Sequence, residues 1–223
     1  MRSAIGDILP FALVVTISPI NIIAAILLLF SRKPVANASC YLVGFIVGVA
    51  AVLGALVAIA GTVDLSPGSG PSTGAGVLRI VLGAVLLVAA RRQLRGRPQT
   101  GEDTSLPKWM DGIAGFGPWK SAGAGVVVGA ANPKNLIVGV AAALSIASAG
   151  LSTGQQVGTV AVYVFVAMLG VATPLVVTVV LQDRAQAVLV GWKTWLGRNN
   201  AVVMAVLFLV FAVVLIGKGI AAV

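Results

Sequence analysis

Long apolar runs separated by short polar segments dominate the hydropathy pattern of this sequence. A membrane-spanning helix needs about 20 predominantly apolar residues. The predicted spans are Ile8–Phe30, Ser39–Gly61, Gly76–Ala90, Ser121–Ala147, Val157–Leu181 and Ala201–Ile220. The third span is short, and we expect it to extend to Leu94, with the side chains of Arg91 and Arg92 reaching toward the membrane surface. The pattern therefore predicts an all-α membrane protein with six transmembrane helices.

Composition indicates the same class of protein. Hydrophobic residues make up 59% of the 223 residues, charged residues make up 9%, and the mean hydropathy is +1.07. About a quarter of the residues in a soluble domain are charged, so this chain cannot cover a globule with polar surface. One cysteine, Cys40, and no histidine argue against a disulfide, a zinc site or a haem site, and we expect no cofactor. The first apolar run is too long for a signal-peptide core, so we expect it to remain as a helix.

Positive charge is concentrated in alternate loops. The net charge is +9, but the basic residues lie between apolar runs, which indicates topology rather than nucleic-acid binding. With six spans, one side carries eleven of the fifteen Lys and Arg residues and the other side carries three. The positive-inside rule then places both termini outside and the basic loops in the cytoplasm, with the protein in the plasma membrane. These loops are Arg32–Ala38, Arg91–Lys120 and Gln182–Asn200; they suit anionic lipids, and segment 91–97 also suits a regulatory partner.

Two spans share an interruption of the form X-Pro-X-Asn. It is Ser-Pro-Ile-Asn at 18–21 in the first span and Asn-Pro-Lys-Asn at 132–135 in the fourth. A weaker echo relates Tyr41–Gly48 in the second span to Tyr163–Gly170 in the fifth. Because each half holds three helices, the second half enters the membrane from the opposite side, which predicts an inverted-topology repeat with a site near the midplane. The expected boundaries are 1–94 for repeat 1, 95–120 for a cytoplasmic loop and 121–223 for repeat 2.

A lysine in the middle of the fourth span is the most informative residue. Lys134 lies 13 residues from each end of that span, and a cation at the bilayer centre costs at least about 2.5 kcal/mol. No other span offers a carboxylate at that depth, so we expect Lys134 to lose its proton, to face a wet cavity or to bind an anionic ligand. The alternative is a structural lysine held by carbonyls that the prolines free. Helix N-termini after Pro19 and Pro133 add partial positive charge, which favours an anion.

Further small and polar residues complete the predicted site. Thr173 and Pro174 in the fifth span suit a gate hinge or the far wall of the site, or else a plain kink. Pairs of glycines four residues apart, at 44 and 48 and at 125 and 129, favour close helix packing. The Gly-rich stretch 68–76 lacks the Lys-Ser or Lys-Thr of a phosphate loop, so transport needs an ion gradient, a downhill path or a partner ATPase. The predicted substrate- or ion-binding residues are Ser18, Pro19, Asn21, Asn132, Pro133, Lys134, Asn135, Thr173 and Pro174.

Three stretches of the sequence resemble a known family. They are Ile8-Leu-Pro-Phe-Ala followed by Ser-Pro-Ile-Asn at 18–21, Phe30-Ser-Arg-Lys-Pro34, and Asn132-Pro-Lys-Asn-Leu136. Together they resemble the GAP family, the glycopeptidolipid- and sulfolipid-addressing proteins of mycobacteria and other actinobacteria, within the lysine-exporter superfamily. The resemblance implies a six-helix fold, a role in sending cell-envelope lipids outward, and the two proline motifs as a paired centre. The lone Cys40 departs from the thiol carriers of that superfamily, and the lack of a mid-membrane carboxylate departs from its cation exporters.

Three functional hypotheses from different classes follow. The first is a flippase-like exporter of a cell-envelope glycolipid or another anionic amphiphile. The second is a proton-coupled exporter of a small soluble solute, an amino acid or organic anion, with Lys134 as the proton switch. The third is a non-transporting accessory subunit that docks a lipid-export complex through its basic loops. No nucleophile–base pair points to an enzyme. The expected partners are membrane lipids, the transported lipid or anion, and either a second copy of the chain or lipid-synthesis and export machinery, with no nucleic acid.

Overall fold

A computed structural model describes residues 1–62, 73–96 and 112–221 of the chain. Within these ranges all regular secondary structure is helical, with no β-strand. The α-helices of these ranges are α1 (Arg2–Thr16), α2 (Pro19–Leu29), α3 (Pro34–Thr62), α4 (Thr73–Arg95), α5 (Pro118–Ala130), α6 (Pro133–Ala147), α7 (Thr153–Leu181) and α8 (Ala185–Ile220). Short 3₁₀ turns at Ile113–Gly115 and Gln182–Arg184 precede α5 and α8. The Gly-rich residues 68–72 and the predicted loop positions Asp64, Arg97 and Lys108 lie outside the described residues.

Two apolar runs are broken at the prolines that the sequence pattern singles out. The chain bends by 50° between α1 and α2 and by 55° between α5 and α6. Pro19 and Pro133 each occupy the first turn of the second helix, where the missing N–H has no intrahelical partner to lose. The prediction that proline breaks the first and fourth hydrophobic runs is confirmed.

Two segments of the described chain are long and apolar enough to cross a membrane, namely Pro34–Thr62 and the run Thr153–Ile220. The number rises to four when each bent pair counts as one span. The protein is therefore a multi-pass helical membrane protein. The 68-residue run comprises α7 and α8. It is interrupted at Gln182, whose φ of 46° ends α7.

The prediction of a loop at Gln182–Asn200 is wrong, because α8 starts at Ala185 and runs unbroken to Ile220. Ala185 and Leu189 are buried and Leu196 packs against the core, which is the spacing of an amphipathic helix. The basic and polar residues between them lower the average hydropathy and conceal the helix. At about 1.5 Å per residue, α8 is roughly 54 Å long, well beyond the ~30 Å hydrocarbon layer of a bilayer.

Glycines set a close helix crossing between α3 and α5. A Cβ built on Gly44 would lie 2.0 Å from the carbonyl oxygen of Ala122, and one on Gly125 would lie 2.1 Å from that of Tyr41. Gly48 and Gly129 face the partner backbone in the same way, at 2.5 and 2.7 Å. Because backbone atoms cannot move aside as side chains do, only glycine fits at these crossings. The predicted packing role of the two glycine pairs is confirmed.

Substituting alanine at Gly125 is expected to destabilise the protein by about 1–3 kcal/mol, since the new methyl group must push α3 and α5 apart. Gly123 lies on the same helix, and a methyl group added there would have no neighbouring atom within 4 Å. The control Gly123→Ala should therefore be neutral or stabilising by about 0.5–1 kcal/mol, from helix propensity. Thermal unfolding of both variants in detergent checks the prediction. Equal melting temperatures for Gly125→Ala and Gly123→Ala would contradict it.

Candidate functional site

The two helix breaks lie against each other in the interior. Ile20, just past the first break, lines the same cavity as Asn132 and Pro133 of the second break. This cavity, called the apolar cavity below, has a volume of about 610 Å³ and is bounded mainly by α5. The helix α6, which starts at the second break, also packs against α1. The structure therefore brings together two proline motifs that are 114 residues apart in the sequence.

Lys134 is buried at this junction and binds the first break directly. Its side chain is 5% exposed, and Nζ donates a hydrogen bond to the carbonyl oxygen of Val14 at 2.8 Å. Val14 lies in the last turn of α1, whose carbonyls lose their helical partners because the chain leaves the helix before Pro19. The C-terminal end of a helix carries partial negative charge, so it stabilises a cation. Lys134 thus has the carbonyl partner that the sequence left as one of several alternatives.

Two asparagines cap the second break. The side-chain oxygen of Asn132 accepts a hydrogen bond from the backbone N–H of Lys134 at 3.1 Å and so caps the start of α6. The side-chain amide of Asn135 donates to the carbonyls of Val128 and Gly129, at 3.2 and 3.5 Å. Gly129 is four residues before Pro133, so its carbonyl is the one that proline deprives of a partner. The backbone groups on both sides of this break are therefore hydrogen-bonded by side chains of the motif itself.

The first break is capped differently, although its sequence motif is the same. When Pro19 is aligned with Pro133, Val14 corresponds to Val128 and Asn21 corresponds to Asn135. Lys134, rather than Asn21, donates to Val14. Asn21 is fully buried, and neither its side-chain nitrogen nor its side-chain oxygen has a hydrogen-bond partner among the described residues.

An amide buried without partners costs about 1–3 kcal/mol, so such a group in a native structure calls for an explanation. The side-chain oxygen of Asn135 is also buried without a partner in the described chain. The buried side chains of the two breaks therefore include the Lys134 amine and two amides with unused hydrogen-bonding capacity. Such a set suits water or a polar group that enters from outside the protein.

The remaining predicted site residues lie in different surroundings. Ser18 is buried next to Pro19, and Pro133 is exposed toward the apolar cavity. Helix α7 continues through Pro174, and the Thr173 hydroxyl donates to the carbonyl of Leu169 at 2.6 Å. Thr173 lines a separate cavity of about 430 Å³ beside the first break, together with Trp192 and Trp195 of α8. Thr173 thus lies beside the first break, in a cavity that Lys134 does not line.

Several contacts at the site escaped the sequence analysis. The acceptor for Lys134 is a backbone carbonyl, and backbone carbonyls carry no sequence signal. Thr16 at the end of α1 donates to the carbonyl of Val166 on α7 at 2.7 Å. Asn37 is buried, and its amide donates to the hydroxyl of Ser31 and to the carbonyl of Phe116, both at 2.8 Å. A polar residue near the start of an apolar run was the available signal for Asn37.

An ion pair joins the first and last described helices. Lys218 on α8 lies 2.5 Å from the carboxylate of Asp7 on α1 and also lies over the ring of Phe11, 5.9 Å from its centroid. The two side chains are 36% and 50% exposed, so solvent screens the attraction. The pair links α1 to α8 through two residues that are 211 positions apart in the sequence.

The Asp7–Lys218 pair is expected to contribute only about 0.2–1 kcal/mol, because it is largely solvent-exposed. A double-mutant cycle with Asp7→Asn and Lys218→Gln, followed by thermal unfolding, measures the coupling energy. Raising the ionic strength to about 1 M should weaken the coupling, since the Debye length falls to about 3 Å, close to the separation of the two charges. A large coupling that persists in high salt would show that the pair is shielded from solvent.

Residues 8–221 of the chain match the family model described as "Sap, sulfolipid-1-addressing protein". No curated protein and no solved structure matches the chain. The match covers both helix breaks, the basic turn between α2 and α3, and the three segments that carried the sequence resemblance.

Proposed function

The chain belongs to the sulfolipid-1-addressing protein family, and on this premise we propose that it moves an anionic cell-envelope lipid across the plasma membrane. The resemblance drawn from the sequence motifs is confirmed over nearly the whole chain. The family implies a membrane protein with a role in envelope-lipid addressing or transport. Direct transport, the substrate class and the residues that carry it are the proposal.

The proposed architecture is six transmembrane helices in two inverted repeats of three. The pattern of helix contacts supports it, because α3 packs on α5 while α1 packs on α7, and α3 contacts α6 while α2 contacts α7. Exchanging α1 with α5, α2 with α6 and α3 with α7 turns the α3–α5 contact into the α7–α1 contact. The same exchange turns the α3–α6 contact into the α7–α2 contact. The same exchange relates Gly48, which meets the backbone of α5, to Gly170, which meets the backbone of α1 at Thr16. Repeats of this kind place the substrate site where their broken helices meet.

The proposed orientation has both termini outside and the basic turns in the cytoplasm, following the positive-inside rule. Arg32 and Lys33 between α2 and α3, and Lys120 at the start of α5, then lie at the cytoplasmic end of the bundle. The Asp7–Lys218 pair lies at the outer end, where it holds α1 to α8. The apolar cavity runs from Lys120 to the second break, which gives the junction access from the cytoplasmic half of the bilayer.

One observation carries the proposal, namely that Lys134 of one repeat is bound to the α1 carbonyl of the other at the meeting point of the two breaks. A sulfate or phosphate group is a far stronger acceptor for an ammonium group than a neutral carbonyl is. An anionic headgroup that reaches Lys134 therefore competes with Val14 and releases the bond between the repeats. Breaking this bond on substrate binding allows one repeat to move against the other, as alternating access requires.

The apolar cavity favours a lipid over a small soluble solute. Most of its wall is formed by alanine and valine side chains of α5 together with Ile20, and such a wall suits a hydrocarbon chain rather than a hydrated amino acid. Only its two ends offer polar groups, Lys120 at one end and Asn132 at the other.

Reconstitution of the purified chain into liposomes tests the proposal. A sulfated glycolipid with a fluorescent acyl chain is the substrate, and the same glycolipid without the sulfate is the matched control. With and without a pH gradient, we expect protein-dependent movement of the sulfated lipid to the leaflet that a membrane-impermeant quencher reaches, with slower movement of the neutral lipid. Folded protein that moves neither lipid under either condition would remove lipid transport as its function. Equal rates for both lipids would remove the anionic headgroup from the mechanism.

A further inference from the structure

A second cavity lies at the basic end of the bundle, directly next to the apolar cavity. This basic cavity has a volume of about 480 Å³ and is lined by Arg32 and Lys33 of the turn before α3, by Asn37, and by the segment leading into α5. Phe116 lines both cavities. A cavity with cationic walls therefore adjoins a cavity with hydrocarbon walls, and the two share Phe116.

The basic cavity offers several groups that bind an anion. Arg32 and Lys33 supply positive charge. Gly117 and Pro118 of the cavity wall form the start of α5, where no side chain caps the free N–H groups. Free N–H groups at a helix N-terminus bind sulfate, phosphate or carboxylate. Lys120, at the mouth of the adjoining apolar cavity, adds a third cation.

Asn37 indicates that the occupant also carries a hydrogen-bond donor. Its side chain is 1% exposed and lines the basic cavity. Its amide nitrogen is used by Ser31 and Phe116, while its side-chain oxygen has no partner among the described residues. A buried acceptor without a donor implies that water or a ligand supplies one. A hydroxyl group on an anionic headgroup satisfies this oxygen.

The apolar cavity continues from this point toward the helix breaks. It is lined at spacings of three or four residues, along a single face, by Lys120, Ala124 and Val127 of α5 and by Ala131, the residue that follows this helix. The opposite face, at Gly125 and Gly129, is the one that packs against α3. From Lys120 to Ala131 the stripe covers about 16 Å, which is about half of a ~30 Å hydrocarbon layer. One acyl chain of a lipid in the adjacent leaflet matches this length.

We propose that the two cavities together form an entry site for one anionic lipid of the adjacent leaflet. Its charged, hydroxyl-bearing headgroup lies in the basic cavity between Arg32, Lys33 and Asn37, and one acyl chain lies along α5. The inference rests on the proposed function for its role as the starting point of transport. Binding at this site does not depend on transport. The site differs from the Lys134 junction, which the lipid reaches only at the far end of the apolar cavity.

Photo-crosslinking tests the site in the full-length chain. The purified protein is placed in phosphatidylcholine nanodiscs that contain phosphatidylglycerol with a photoreactive acyl chain, and the adducts are located by mass spectrometry. Phosphatidylglycerol carries both the anion and the hydroxyl groups that the basic cavity suits. Adducts are expected on the α5 stripe between Ala124 and Ala131. An equal amount of photoreactive phosphatidylcholine should give roughly tenfold less, in view of the attraction of each basic residue for an anionic lipid.

Two variants and two matched controls locate the headgroup and the chain. Arg32→Gln with Lys33→Gln should lower the phosphatidylglycerol adducts roughly tenfold, whereas Lys193→Gln with Arg198→Gln on α8 removes two basic residues outside the cavity and should not. Val127→Trp should lower adducts of both lipids by filling the apolar cavity. Val127 is 61% exposed and Val47 of α3 is 52% exposed, so Val47→Trp introduces the same side chain at a similarly exposed valine and should have no effect.

Failure of this site and failure of lipid transport give different results. Three results would overturn the entry site. The first is equal labelling by both lipids, and the second is labelling that does not change in the Arg32→Gln, Lys33→Gln double variant. The third is full competition by soluble glycerol phosphate. The last result would mark a binding site for soluble anions. A Val127→Trp variant that transports at the wild-type rate would overturn the site and leave the proposed function intact. Normal labelling in a protein that never moves lipid would support the site and overturn transport.

Discussion

Lys134→Met is expected to reduce transport of an anionic lipid to the rate of protein-free liposomes. Methionine has a similar length but carries no charge and no donor, so an anionic headgroup at the junction loses its cation. Lys134→Arg keeps the charge and should keep part of the activity. Lys193→Met, on the first half of α8, removes a lysine outside the junction and should transport normally. The liposome assay with the sulfated glycolipid measures all three variants.

The stability of Lys134→Met separates a transport role from a structural one. Removing the cation relieves a cost of at least about 2.5 kcal/mol for a charge at the membrane centre, while the loss of its hydrogen bond leaves the Val14 carbonyl unpaired, at about 1–3 kcal/mol. These effects oppose each other, so the melting temperature should change little. Lys134→Gln, which keeps a donor for Val14, should be at least as stable as the wild type. A strongly destabilised Lys134→Met protein, or one with full activity, would assign Lys134 a packing role.

Opposite changes in stability are expected for the two equivalent asparagines. Asn21→Leu replaces a fully buried amide that has no partner in the described chain, so it should be neutral or stabilising by about 1–3 kcal/mol. Asn135→Leu removes the donor to the Val128 and Gly129 carbonyls, so it should destabilise by a similar amount. Thermal unfolding of the two variants in the same detergent gives the comparison.

Transport by Asn21→Leu completes this prediction. If the amide of Asn21 pairs with water or with a substrate group at the junction, the stable variant loses transport even though its fold is intact. Asn200→Leu on α8 is the comparison, because its side-chain oxygen is also buried without a partner in the described chain but belongs to neither X-Pro-X-Asn motif. Destabilisation of Asn21→Leu to the level of Asn135→Leu would show that Asn21 has a partner within the folded protein.

The helix breaks could be predicted because their cause is local. Proline removes one helical hydrogen bond wherever the rest of the chain lies. Proline alone is not sufficient, because α1 and α7 continue through Pro10 and Pro174, and the two breaks occur where proline stands in an X-Pro-X-Asn motif. The glycine pairs at 44 and 48 and at 125 and 129 could be predicted for a similar reason, since small residues four apart leave a flat helix face. The first half of α8 was missed because average hydropathy treats an amphipathic helix as a loop. The transport roles of the predicted site residues remain predictions.

The sequence by itself determined that this protein is helical and membrane-embedded, that two apolar runs break at Pro19 and Pro133, and that Lys134 needs a partner in the interior. These properties follow from the solvation of side chains and the covalent geometry of proline, which belong to each residue alone. Only the tertiary structure decided that the partner of Lys134 is the Val14 carbonyl, 120 residues away, and that Asn21 is left unpaired among the described residues. All backbone carbonyls are chemically alike, so the packing of α6 against α1, rather than residue identity, selects which one the lysine binds.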